Sequence, residues 1–200
     1  MQVARILLRG FLTVAMAASA MAPAGATTLI REGLDQLVAG NATIVLGEVL
    51  DVSSRWNDEG TFILTDVRIA PQEVFKGKIE DPELTITIMG GTVGDRTKLI
   101  VGGAELVPGS AYVLFLNQED LPGAKSVRTV RDHVQGAFDL VLAKDGGVRV
   151  VSQANRHPLL PDAKGLVEPP GGAQGIPLDT LRQSIRDLVK NPQGTRREVK

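Results

Sequence analysis

From Thr43 to Ile69 the chain carries two runs of β-branched and aliphatic residues on either side of the polar break Asn57-Asp58-Glu59-Gly60. In the second run Thr61, Ile63, Thr65, Val67 and Ile69 alternate with Phe62, Leu64, Asp66 and Arg68, which is the two-residue period of a strand. Thr43 to Val52 reads as its partner. The segment therefore predicts a long antiparallel hairpin with Trp56, the single tryptophan, beside the turn. Gly47 interrupts the first strand, and an isolated glycine there marks a bulge or the coiled bend of a small barrel. Pro71 has no N–H and limits pairing near the end of the second strand.

A two-stranded hairpin cannot bury its apolar face alone, so more strands must follow. Leu84, Ile86 and Ile88 alternate with Thr85, Thr87 and Met89 after the Asp81-Pro82 turn. Thr97 to Val101 is a short strand between glycine-containing breaks, and Ala111 to Leu116 is another behind Pro108-Gly109. His133 to Leu142 and Val148 to Ser152 form a last hairpin around Lys144-Asp145-Gly146-Gly147. Ahead of these strands, Thr27-Thr28 can cap a short helix carrying Leu34 and Leu37/Val38, which Gly40-Asn41 ends. Beyond them, Pro169-Pro170-Gly171-Gly172 centres a loose stretch, and Leu178, Leu181, Ile185 and Leu188 fall on one face of a helix.

The expectation is a mainly β protein: a small antiparallel barrel over residues 27–153, with a short N-terminal helix. A Pro/Gly-rich linker follows over 154–176, then a C-terminal amphipathic helix over 177–191 and a frayed tail over 192–200. Residues 1–26 read as a secretory signal peptide, with Arg5 and Arg9 near an apolar run and Ala24-Gly25-Ala26 as the small-x-small cleavage site. Localisation is then exported, periplasmic or secreted, with no stable membrane span after cleavage.

Without that leader 20 basic and 23 acidic side chains remain, a formal charge near −3. Such a balance gives no attraction to phosphate backbones, which argues against a nucleic-acid partner. Cysteine is absent, so disulfides, thiolate metal sites and a cysteine nucleophile are excluded. Aromatic residues make up only 4% of the chain, leaving Val, Ile and Leu to fill the core.

Residues suited to chemistry are sparse. The two histidines, His133 and His157, lie far apart, and adjacent residues of a strand point to opposite faces, so Asp132 is badly placed to orient His133 if that segment is β. No Gly-x-Ser-x-Gly is present, and no histidine cluster suggests zinc. Gly90-Gly91-Thr92-Val93-Gly94-Asp95 lacks the Gly-Lys-Ser/Thr ending of a phosphate loop and reads as a turn between strands. Asp58 and Glu59 at the hairpin tip supply too few oxygens for calcium. No catalytic residue, metal or cofactor is expected. Trp56, Asp58 and Glu59 are the candidate binding residues, as an aromatic anchor beside charged tip residues.

Ile44-Val45-x-Gly47-x-Val49, Ser53-Ser54-Arg55-Trp56, Phe75-Lys76-Gly77, Gly90-Gly91-Thr92-Val93-Gly94 and Tyr112-Val113-Leu114-Phe115-Leu116 follow in an order that resembles a group of exported bacterial proteins of unassigned function. Their pattern is similar to the oligonucleotide/oligosaccharide-binding (OB) barrel of netrin-like modules and tissue inhibitors of metalloproteinases (TIMPs). The resemblance implies an OB-like barrel. It does not carry over the inhibitors' activity, which acts through an N-terminal cysteine that this chain lacks. The functional expectation is a non-enzymatic binding domain of the cell envelope or medium with a protein partner there. The alternatives are an inhibitor or chaperone of a secreted metalloprotease, and a hydrolase using His133.

Overall fold

Tyr112-Val113-Leu114-Phe115-Leu116 is buried at every position, which a strand achieves only when both its faces are covered. The computed structural model describes residues 31–156 and 174–191 and shows what covers them. The expected signal peptide, most of the linker, the tail and His157 lie outside these residues. Among the described residues ten strands and two α-helices run in the order α1 (Leu34–Gly40), β1 (Thr43–Trp56), β2 (Ile63–Lys76), β3 (Leu84–Met89), β4 (Gly91–Val93), β5 (Arg96–Lys98), β6 (Ala111–Leu121), β7 (Ala124–Val130), β8 (Ala137–Leu142), β9 (Val148–Ser152), β10 (Ile176–Pro177) and α2 (Leu178–Lys190).

The main sheet is antiparallel, in the order β10-β9-β8-β6-β1-β2-β3, with β7 also paired to β6. β6 uses one edge for β1 and the other for β8 and then β7. Alternation along β1 and β6 sorts their side chains into two cores. Val45, Val49, Tyr112, Leu114 and Leu116 meet Val67, Ile69, Leu84, Ile86 and Val130 on one side. Ile44, Leu46, Val113 and Phe115 meet Phe138, Val150 and the helices on the other.

Those helices supply Leu37 and Val38 from α1 and Leu181 and Ile185 from α2, none more than 2% exposed. The apolar stripe of the C-terminal helix thus lies on the chain's own sheet. Glu73 of β2 pins it, accepting hydrogen bonds from Arg182 Nε at 2.8 Å and Arg186 Nη2 at 2.9 Å.

Several boundaries depart from the sequence reading. α1 begins only at Leu34, where Gln36 Oε1 accepts the Gly33 N–H at 2.9 Å. β2 runs past Pro71 to Lys76 because register shifts, one of them between Leu46 and Gly47, absorb the mismatch opposite the proline. The strand expected at 97–101 is only β5, and it pairs with β4 in a separate hairpin that includes part of the expected turn. The strand expected to begin at His133 begins at Ala137. In its place Arg131–Gly136 loops out between β7 and β8, with Phe115 N–H donating to Gly136 O at 2.8 Å and Arg131 N–H donating to Phe115 O at 3.0 Å. Gly136 allows that close approach, since a Cβ there would lie 2.6 Å from Phe115 O.

The sheet also fails to close into the expected barrel. β3 and β7 come within 8 Å between Cα atoms, yet no ladder joins them. Gly90 and Gly91, at φ 92° and 122°, turn the chain away as β3 ends. The later segment 99–107 then sends Ala104 and Leu106 into the first core, which a barrel wall would otherwise enclose.

Candidate functional site

The open seam holds a cavity of about 230 Å³. Ile88 and Met89 of β3, Ile100 and Ala104 of the 99–107 loop, and Leu121 and Val130 of the β6–β7 hairpin give it an apolar lining. Its polar groups are Thr87, Glu119, Thr129, Asp132 and His133. Among the described residues no lysine or arginine lines it.

Thr129 is the unusual member. Its side chain is buried, the residue being 5% exposed, and its Oγ1 has no hydrogen-bond partner among the described residues. An unsatisfied buried hydroxyl costs about 1 to 3 kcal/mol, so such groups are rare in native proteins. Thr87, equally buried, shows the usual solution: its Oγ1 donates to Asp66 Oδ1 at 2.7 Å.

The rim is built by the loop between β7 and β8. Asp132 and His133 take φ of 43° and 61°, two successive left-handed residues that are not glycine. Such strain costs on the order of 1 kcal/mol or more per residue and concentrates at functional sites. Arg131 braces the loop, pairing with Glu32 at 2.9 Å and with Asp132 at 3.1 Å. Its hydrogen bond to Glu32, helped by the charges of Asp132, Glu32 and Glu119 against some burial, holds the guanidinium above its ordinary pKa.

The 105–107 end of one wall is anchored by side chains. Buried Gln153 accepts from Glu105 N–H at 2.9 Å and donates to Glu105 O at 2.8 Å, while Tyr112 Oη accepts from Val107 N–H at 3.0 Å. Leu99 and Val101, beside the cavity-lining Ile100, are 81% and 88% exposed.

The residues singled out in the sequence divide between two places. Trp56, Asp58 and Glu59 stand at the exposed tip of the β1–β2 hairpin and do not line the cavity. Asn57 between them is buried and organises that tip, accepting the N–H groups of Thr61 and Phe62 at 2.8 and 3.0 Å. His133 is in the cavity wall. Because it lies on a turn, the rule that strand neighbours face apart does not separate it from Asp132, and both reach the same space.

Thr129 and Glu119 were not legible as site residues. The signal available was the alternation of Val127 and Thr129 with Arg128 and Val130 after Pro122-Gly123, which marks a strand. Among the described residues no three His, Cys, Asp or Glu side chains gather as a metal site, and no helix is long and apolar enough to cross a membrane. No protein-family model and no curated protein matches the chain significantly.

Proposed function

We propose that the protein is an exported, non-enzymatic binding domain whose seam cavity holds a small ligand with an apolar body and one polar atom. The observation that carries this reading is the seam cavity of about 230 Å³ itself, apolar along β3, the 99–107 loop and the β6–β7 hairpin and polar at Glu119, Asp132 and His133. The volume sets the scale. An engineered cavity of about 150 Å³ accepts benzene, so about 230 Å³ suits an aromatic ring or short alkyl chain with a small polar head. The approach of β3 and β7 to within 8 Å also disfavours an inserted peptide strand, which needs about 9.5 Å between its two neighbours. The curl of β1–β3 and β6–β7 around one core is compatible with an opened OB-like module of the netrin and TIMP type.

A hydrolase using His133 is the second reading, favoured by the position of His133 and Asp132 on the cavity rim. It ranks lower because Thr129 Oγ1, the buried hydroxyl there, has no base bonded to it.

2-Phenylethanol is a suitable probe. Its titration, followed by amide NMR, is expected to shift Ile88, Met89, Leu121, Thr129 and Val130 together. Shifts confined to the Trp56 tip, or absent throughout, would overturn the assignment of the site.

A further inference from the structure

We infer that residues 99–103 are the door through which a ligand reaches the seam cavity, an inference that rests on that cavity being the binding site. The other walls are held by ladders or ion pairs. β3 lies in its ladder with β2, β6 and β7 pair with each other, and Asn57 ties the tip of that hairpin. Arg131 braces the loop of Asp132 and His133 by pairing with Glu32 and with Asp132 itself. The 99–103 segment is fixed at its two ends: Lys98 pairs with Gly91 before it, and Ala104, 8% exposed, packs into the first core after it. Between those ends a single hydrogen bond is present among the described residues, from Gly103 N–H to Ile100 O at 3.3 Å.

The side chains of the segment divide into a plug and two outer groups. Ile100 lines the cavity, and its Cγ1 lies 3.0 Å from where a Cβ at Gly90 would stand, so the bare backbone of Gly90 admits it. Leu99 and Val101 on either side are 81% and 88% exposed. An outward swing therefore gives up the apolar contacts of Ile100, while its two neighbours have little burial to lose. Gly102 and Gly103 supply the pivot. Gly102 has φ of 76° with no atom within 4 Å of where its Cβ would stand, and two successive glycines change φ and ψ with few clashes. Opening takes place on the microsecond-to-millisecond scale of active-site loops, which makes Ile100 a gate for entry as well as a lining group.

The test reads rates. Amide relaxation dispersion on the free full-length chain is expected to show exchange at Leu99 to Gly103 and none at Ile88, Met89 or Val130, and saturation with 2-phenylethanol is expected to quench it. Line-shape analysis of the 2-phenylethanol titration then gives association and dissociation rates. Ile100→Ala removes the plug and is expected to raise both by about threefold or more, whereas truncating a group that only lines the cavity would raise dissociation alone. Gly103→Ala places a Cβ at an ordinary 3.4 Å from Ile100 O and stiffens the pivot. It is expected to slow both rates by about threefold while the affinity stays within about twofold. Flat dispersion at 99–103, or an association rate that either substitution leaves unchanged, would overturn the door while leaving the cavity as the site. Absence of any shift at the cavity on adding 2-phenylethanol would overturn the seam reading, and the door with it.

Discussion

Asn57 Nδ2 donates to the carbonyl of Pro122 at 3.2 Å, joining the tips of two hairpins separated by 65 residues. Gly123 sits so near that a Cβ there would lie 2.7 Å from the same nitrogen. Since Leu121 next door lines the cavity, this bond positions one of its walls. Asn57→Ala is expected to cost about 2 kcal/mol in urea unfolding, because buried N–H groups of the turn lose their acceptor. Asn57→Asp keeps that acceptor and should cost less. Equal losses in the two variants would show that the contact to Pro122 dominates.

The C-terminal helix is expected to contribute to the stability of the whole sheet. Leu181 and Ile185 are fully buried, and truncation of such a leucine costs about 2 to 5 kcal/mol. Leu181→Ala should therefore lower the midpoint of one cooperative transition. A separate early transition would mean that the helix unfolds independently. Glu73→Ala, which unpins Arg182 and Arg186, should cost on the order of 1 kcal/mol, less at high salt.

Lys76 predicts a pH dependence. Its Nζ donates to Val38 O at 2.7 Å near the end of α1, and burial lowers its pKa below the ordinary 10.5. The folded state then sheds this proton before the unfolded state does. Its contribution to stability is constant below the folded pKa and rises as pH climbs through that value toward the unfolded one. Wild-type stability measured against Lys76→Met should improve as pH rises toward the ordinary lysine value of 10.5. A flat difference would contradict the burial effect.

How much of this was legible varies with the kind of signal. Alternation in Leu84–Met89 gave that strand its observed limits, and the spacing of Leu181 and Ile185 gave the buried face of α2. The continuous apolar run at Tyr112–Leu116 marked a strand but could not say that its faces belong to different cores, because that depends on where α2 returns. His133 was placed on a strand because the apolar residues after it alternate. The left-handed conformations of Asp132 and His133 come from the tertiary path of the chain, which must loop out between two stretches paired to one edge of β6. The unclosed seam was illegible for a related reason. Pairing between β3 and β7 depends on what the distant loop at Ala104 and Leu106 places between them.

Ala104→Leu measures the central claim most directly. Ala104 lines the seam cavity and is 8% exposed, so a larger side chain there occupies the space a ligand would take. Binding of 2-phenylethanol, measured by calorimetry on a variant that still unfolds in one cooperative urea transition, is expected to weaken by about tenfold or more. A folded variant that binds the alcohol as well as the wild type does would contradict the assignment of the cavity as the binding site.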